Sequence, residues 1–229
     1  MPEDSNELYK LITVSGPEAV SFLQGQLTQD LRRLDREKHL LAAWCNPKGR
    51  VIVVLRVIAL DDAIGLLVPA DMAERVVQRL TLYRLRAKVE FAIGDDWQAL
   101  VEPQEADPAA LVRAGIATID GSNTEAHTPH MLNLDKLDAI SFSKGCYTGQ
   151  EVVARTEHLG KSKRRLMRYA WDGHAVNVGD KVADGERNVG EVVNVAGSEL
   201  LAVTPVDLHD ATLTVDGVTL TPLGLPYDL

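Results

Sequence analysis

The sequence predicts an α+β protein: a ferredoxin-like split βαβ unit followed by a small carboxy-terminal antiparallel β-barrel. Three observations carry this reading. The order of elements up to about Gly94 is strand, helix, two or three strands, helix, strand; the second helix has an apolar stripe of helical period; and turn signals recur at short, regular spacing after Arg164.

Taken in order, "LYKLITV" (8–14) reads as a strand, and "SGPEAVSFLQG" follows as a helix. Ser15 is placed to cap it, Pro17 lies inside its start, Glu18 closes a capping box and Gly25 stops it. "HLLAAWC" and "RVIVVLRVIAL" flank the turn "NPKG" and form a hairpin. After "DDAIG" and a short "LLVP" strand, Asp71 and Glu74 open a helix with Met72, Val76, Leu80 and Tyr83 on one face. "LRAKVEFAI" alternates as a strand, which would put Arg84, Arg86 and Lys88 on one face, as a binding face or as a solvated edge. The acidic "GDDWQALVEPQEADP" reads as a linker or edge excursion, "ALVRAGIATID" as a short apolar element, and "GSNTEAHTPH" as a polar loop with His127 and His130 in solvent. The turns "WDG", "VGD", "DGERN", "AGS" and "VDG" then punctuate the barrel strands. The expected division is 1–160 and 161–229.

Composition excludes several classes of function. The chain has 229 residues, 45% hydrophobic and 25% charged, with mean hydropathy -0.06, ordinary globular material. A net charge of -9 and a pI near 5.1 argue against extensive contact with nucleic acid or anionic lipid. Two cysteines make no disulfide framework and cannot alone hold an ordinary iron–sulfur cluster. The first ten residues lack a secretory signal's basic and apolar regions, and the apolar run 51–60 carries Arg56 and is too short to span a bilayer. A reducing cytoplasm is the expected location, with no metal site.

The chemistry concentrates in "KGCYTGQEVVARTEHLGKSKRRL" (144–166). Thr148 and Glu151 match a capping box, which would set Cys146 just before a helix amino terminus, with Lys144 close by; both favour a thiolate. The alternative is a cysteine that packs. Gly145 and Gly149 flank the Cys-Tyr-Thr stretch and imply close backbone approach. Residues 141–170 carry a net +5, leaving -14 elsewhere: a basic island able to hold a carboxylate or phosphate, or a solvated strand face.

"KGCYTGQE" resembles the signature of the YgfZ family of folate-binding proteins, relatives of the glycine-cleavage T-protein aminomethyltransferases. The likeness extends to "SGPEAVSFLQGQLTQDL", "LLAAWCNPKGRVIVVLRV", "YRLRAKVEF", "LDKLDAISFSKGCY" and "GEVVNVAGSELLAV". The resemblance implies a T-protein-like folate-binding fold with the middle domain reduced, a tetrahydrofolate in a central hollow, and support of iron–sulfur cluster assembly or repair in client enzymes, among them enzymes that modify transfer RNA. Its functional motif would be Cys146, Lys144 and Tyr147, supported by Gly145, Thr148, Gly149, Gln150 and Glu151. Tyr9, Asn46, Lys48, Arg50, Arg84, Arg86 and Arg113 are the expected folate contacts, Arg113 standing where the family has glutamate. Where aminomethyltransferases carry a catalytic aspartate this chain offers only Val53 or Val54, so transferase activity is the second reading and an RNA-binding helper the third.

Overall fold

The computed structural model describes residues 8–35, 38–160, 162–173, 175–208 and 211–229; Lys161 of the basic island lies outside them. The first unit is a five-stranded antiparallel sheet of β1 (Tyr9–Ser15), β2 (His39–Cys45), β3 (Val51–Ala59), β4 (Ala63–Pro69) and β5 (Glu90–Gly94), in the order β2-β3-β4-β1-β5. Without the edge strand β2, the remaining order β3-β4-β1-β5 is the ferredoxin-like one. The helix α1 (Ala19–Gln24) follows β1, and α2 (Ala73–Arg84) joins β4 to β5.

β3 reads "VIVVLRVIA", a near-continuous apolar run, because both faces of the sheet are covered. On one face Ile12, Trp44, Val53 and Leu66 pack with Phe22 of α1 and Val76 and Leu80 of α2. On the other, Tyr9, Leu11, Ile58 and Leu67 meet Trp97, Val101 and Ala106. The acidic segment read as a linker is therefore a lid on the sheet, anchored by Trp97, whose ring meets Tyr9 edge-on at 5.9 Å. It leads into α3 (Pro108–Ala114), capped by Asp107, which accepts from Ala110 N at 2.7 Å.

Three local expectations fail, each for a tertiary reason. α1 begins at Ala19 with no side-chain cap, because Glu18 instead accepts from Lys88 N at 2.8 Å. α2 likewise has no side-chain cap, and Asp71 accepts from Gly121 N at 2.8 Å. The strand expected over 85–93 starts only at Glu90: α2 continues to Arg84 and Leu85 turns the chain at φ 47°. Arg84, Arg86 and Lys88 thus share no strand face.

The helix α4 (Gln150–Leu159) leads to the second unit, a closed barrel in the order β10-β11-β6-β9-β8-β7. Its strands are β6 (Arg164–Trp171), β7 (Lys181–Asp184), β8 (Arg187–Ala196), β9 (Glu199–Pro205), β10 (Thr214–Val215) and β11 (Val218–Leu223). Tyr169, Val182, Leu200 and Leu220 fill its interior. A further core joins the two units: Cys45, Val51 and Val54 of the sheet pack with Leu132, Leu134 and Ala139 and with Leu166, Val193 and Leu201 of the barrel. No helix among the described residues is long and apolar enough to cross a membrane.

Candidate functional site

The motif loop is held by contacts far away in sequence. Lys144 is 5% exposed, and its ammonium donates to the carbonyls of Gln24 (2.7 Å), Leu27 (2.7 Å) and Gln29 (2.9 Å) while lying 5.2 Å from the centre of the Tyr147 ring. Those carbonyls belong to the turn after α1. Thr28, in the same turn, donates its hydroxyl to Ala139 O (2.7 Å) and accepts from Ala43 N (2.8 Å), tying the turn to β2. Burial pushes the Lys144 ammonium down to about 8. Tyr147 is also buried, and burial raises its phenol.

The expected capping box is absent. Gly149 is the N-cap of α4, in the left-handed region at φ 84°; Thr148 pairs instead with Gln26 (3.3 Å), and exposed Glu151 with Arg155 (2.7 Å). Of the two flanking glycines only Gly149 is required by packing. A Cβ there would lie 2.6 Å from Asn46 O and 3.2 Å from Cys45 Cβ, whereas at Gly145 it would meet nothing within 4 Å. Gly149→Ala should therefore cost about 2–4 kcal/mol, from left-handed strain plus a clash against main chain, read as a lowered denaturation midpoint, while Gly145→Ala should change little.

Between these anchored neighbours Cys146 is exposed. Cys45 is buried beneath the loop, and burial pushes its thiol up to about 12.

Val54, which shares the sheet–barrel core with Val51, lines a narrow recess of about 30 Å³ with Tyr9, Leu41, Arg56, Glu105 and Thr118. Val53 belongs to the helix-side core, so of the two valines it is Val54 that faces the recess. Beside this recess, and sharing Tyr9, Pro69, Leu111, Ile116 and Thr118 with it, lies a hollow of about 350 Å³ bordered also by Asp71, Asp120, Val178 and Asn194, within the roughly 300–1,000 Å³ of small-molecule sites. Arg56 is largely buried and bound to Glu105 at 2.9 Å. Asn194 grips the main chain of Thr118, accepting from its N and donating to its O, both at 2.9 Å. Burial raises the Tyr9 phenol, the Thr118 hydrogen bond opposing it.

Of the expected folate contacts, Tyr9 alone lines this hollow. Asn46 shapes the β2–β3 turn, accepting from Lys48 N (2.9 Å) and Arg50 N (3.0 Å) and donating to Glu125 (2.7 Å). Lys48 is exposed, and Arg50 donates to Ala126 O at 2.6 Å. Arg84 and Arg86 end α2 and follow it, and Arg113 is exposed on α3 near Asp107 (3.9 Å). In the sequence, Arg56 stands out as the one charge in an apolar strand, whereas nothing local marks Glu105, Thr118 or Asn194 as lining the recess or the hollow.

The polar loop with solvated histidines is corrected. His127 and His130 are 7% and 2% exposed, because the loop threads between sheet and barrel: Val51 N donates to His127 O (2.9 Å) and Glu125 N to Val51 O (2.7 Å). His130 meets Glu157 at 3.1 Å and lies near Asp135, within ligand reach of a shared ion, but Asp135 is already held by both nitrogens of Arg165 at 2.5 and 3.0 Å. This is an ion-pair cluster. Arg168 similarly pairs with Glu199 (3.0 Å), so much of the basic island is neutralised within the fold.

The ferredoxin-like sheet packed on a closed barrel has the fold of a glycine-cleavage T-protein: the chain superposes on the aminomethyltransferase T of Bartonella henselae with a TM-score of 0.69 at 13% identity, covering 95% of this chain and 83% of that one. Residues 163–224 match the family described as the CAF17 C-terminal β-barrel domain. The chain is similar to the proteins called tRNA-modifying protein YgfZ. It is 29% identical to that of Klebsiella pneumoniae, over 92% of this chain and 82% of the relative, and 28% identical to that of Hamiltonella defensa, over 91% and 80%. The resemblance read from the KGCYTGQE signature and the fold expected from it are thereby borne out.

Proposed function

We propose that this chain is a tetrahydrofolate-binding accessory protein that supports iron–sulfur cluster assembly or repair and, through it, enzymes that modify transfer RNA. One observation carries the reading. Lys144, Tyr147 and Gly149 are all engaged in holding the motif loop, while Cys146 between them is exposed. A thiol presented in this way can react or ligate transiently. The hollow suits a pterin: Tyr9, Pro69, Leu111 and Ile116 offer apolar walls, and the Asp71 and Asp120 carboxylates that border it are acceptors for the amino-pyrimidine N–H groups. It draws on both 1–160 and 161–229, through Val178 and Asn194 of the latter.

The T-protein fold favours a second reading, an aminomethyl or one-carbon transferase. Val54 opposes it, since a valine in the recess beside the hollow cannot exchange a proton with a folate nitrogen or hold an amine. The two part in a glycine-cleavage half-reaction and in cells. The accessory reading expects no appreciable turnover, and expects Cys146→Ala to melt as the parent does yet fail to restore iron–sulfur enzymes in a strain lacking the protein. Robust turnover, or full restoration by the alanine variant, would reject it.

A further inference from the structure

We infer that the cleft between the β2–β3 turn and barrel strands β7 and β8 is a second binding site, one for a small, multiply charged phosphate compound. The cleft, of about 370 Å³, is lined by Arg50, Arg164, Lys181, Asn188 and Glu191, with His127 in its wall. Lys181 is paired with Glu191. Among the described residues Arg50 and Arg164 have no carboxylate partner, and Arg50 uses one nitrogen on Ala126 O. Two guanidinium groups thus border one concave space whose lining carboxylate, Glu191, is taken by Lys181, in a protein whose net charge is -9. Guanidinium forks match phosphate oxygens in geometry as well as charge. The compound is small because a polyanion would have to cross a predominantly acidic surface and gains affinity only through many phosphate contacts.

A second feature points the same way. His127 is buried with its Nε2 unpartnered among the described residues. Burial first, and then Arg50, Lys181 and Arg164, hold the imidazole towards its neutral form, while Glu191 pulls the other way. A bound dianion would offset those three cations, so the ring should take up a proton more readily when the cleft is filled.

The test is calorimetric titration of the full chain with pyrophosphate, alongside the His127 ring resonances followed against pH with and without it. Arg164 is exposed, so Arg164→Ala should fold normally and bind pyrophosphate about tenfold more weakly. Arg50→Ala combined with it should abolish binding, and Lys163→Ala, a neighbour outside the cleft lining, should not weaken it. The titration midpoint of His127 should rise on saturation. Should Arg50→Ala disturb folding, Arg164→Ala alone decides. The site is rejected by no pyrophosphate binding at millimolar concentration, by unchanged binding in Arg164→Ala, by citrate binding as tightly as pyrophosphate, or by a short single-stranded RNA binding through Arg164 where pyrophosphate does not.

Discussion

Lys144→Met should lower the stability of the protein by about 3 kcal/mol, because a side chain of similar length can no longer satisfy the three carbonyls of Gln24, Leu27 and Gln29. For a chain of this size that is roughly 6–12 °C in Tm. The carbonyls are far from Lys144 in sequence, so the loss should also release the turn after α1 from the motif loop, read as faster amide exchange in both segments. A pH signature separates this clamp from a generic core contact. Burial pushes Lys144 down to about 8 in the folded state, against ~10.4 for an unfolded lysine, and the negative charge of Asp30 limits that shift. Between those values the unfolded chain binds more protons than the folded one. The Lys144 contribution to stability therefore rises with pH from about 8 to ~10.4 and is lost as pH falls back through 8. The methionine variant should lack that rise. A variant that melts with the parent would show that the ammonium holds nothing.

Iodoacetamide should alkylate Cys146 orders of magnitude faster than Cys45 at neutral pH. Cys45 is shut from solvent and its thiol is pushed up to about 12, which leaves on the order of one thiolate in a hundred thousand at pH 7 even for molecules the reagent could reach. Cys146 is accessible in the native state, and reaction at Cys45 requires the core joining sheet and barrel to open. Mass spectrometry of peptides after a timed exposure reads both sites at once; comparable rates would mean that the loop over Cys45 does not stay closed.

What sequence could and could not show follows from the range of the interactions. The ferredoxin-like strand order and the barrel were legible because apolar alternation and turn residues act locally, and the signature located the one exposed cysteine. Non-local contacts were hidden. Lys144 reads in sequence as a charge beside Cys146, yet it points into the turn after α1; Thr148 and Glu151 have the spacing of a cap, yet Gly149 takes that position because only a glycine fits against Asn46 O. His127 and His130 sit in a stretch whose composition looks solvated, and it is the packing of Leu132 and Leu134 into the shared core that buries them. Arg84 and Arg86 have strand spacing, but Arg84 closes a helix and Arg86 lies just beyond it.

The most direct measurement of the central claim is the melting temperature of the full chain with and without tetrahydrofolate under anaerobic conditions. Ligand at about a hundred times its dissociation constant should add roughly 2.7 kcal/mol, or ~5–11 °C. Asp71→Asn combined with Asp120→Asn, which keeps the shape of that border and removes its charge, should reduce that shift, and alanine at both Arg84 and Arg86, which lie outside the hollow, should leave it unchanged. No stabilisation of the parent protein, or a shift lost with Arg84 and Arg86 and kept without the two carboxylates, would contradict the account.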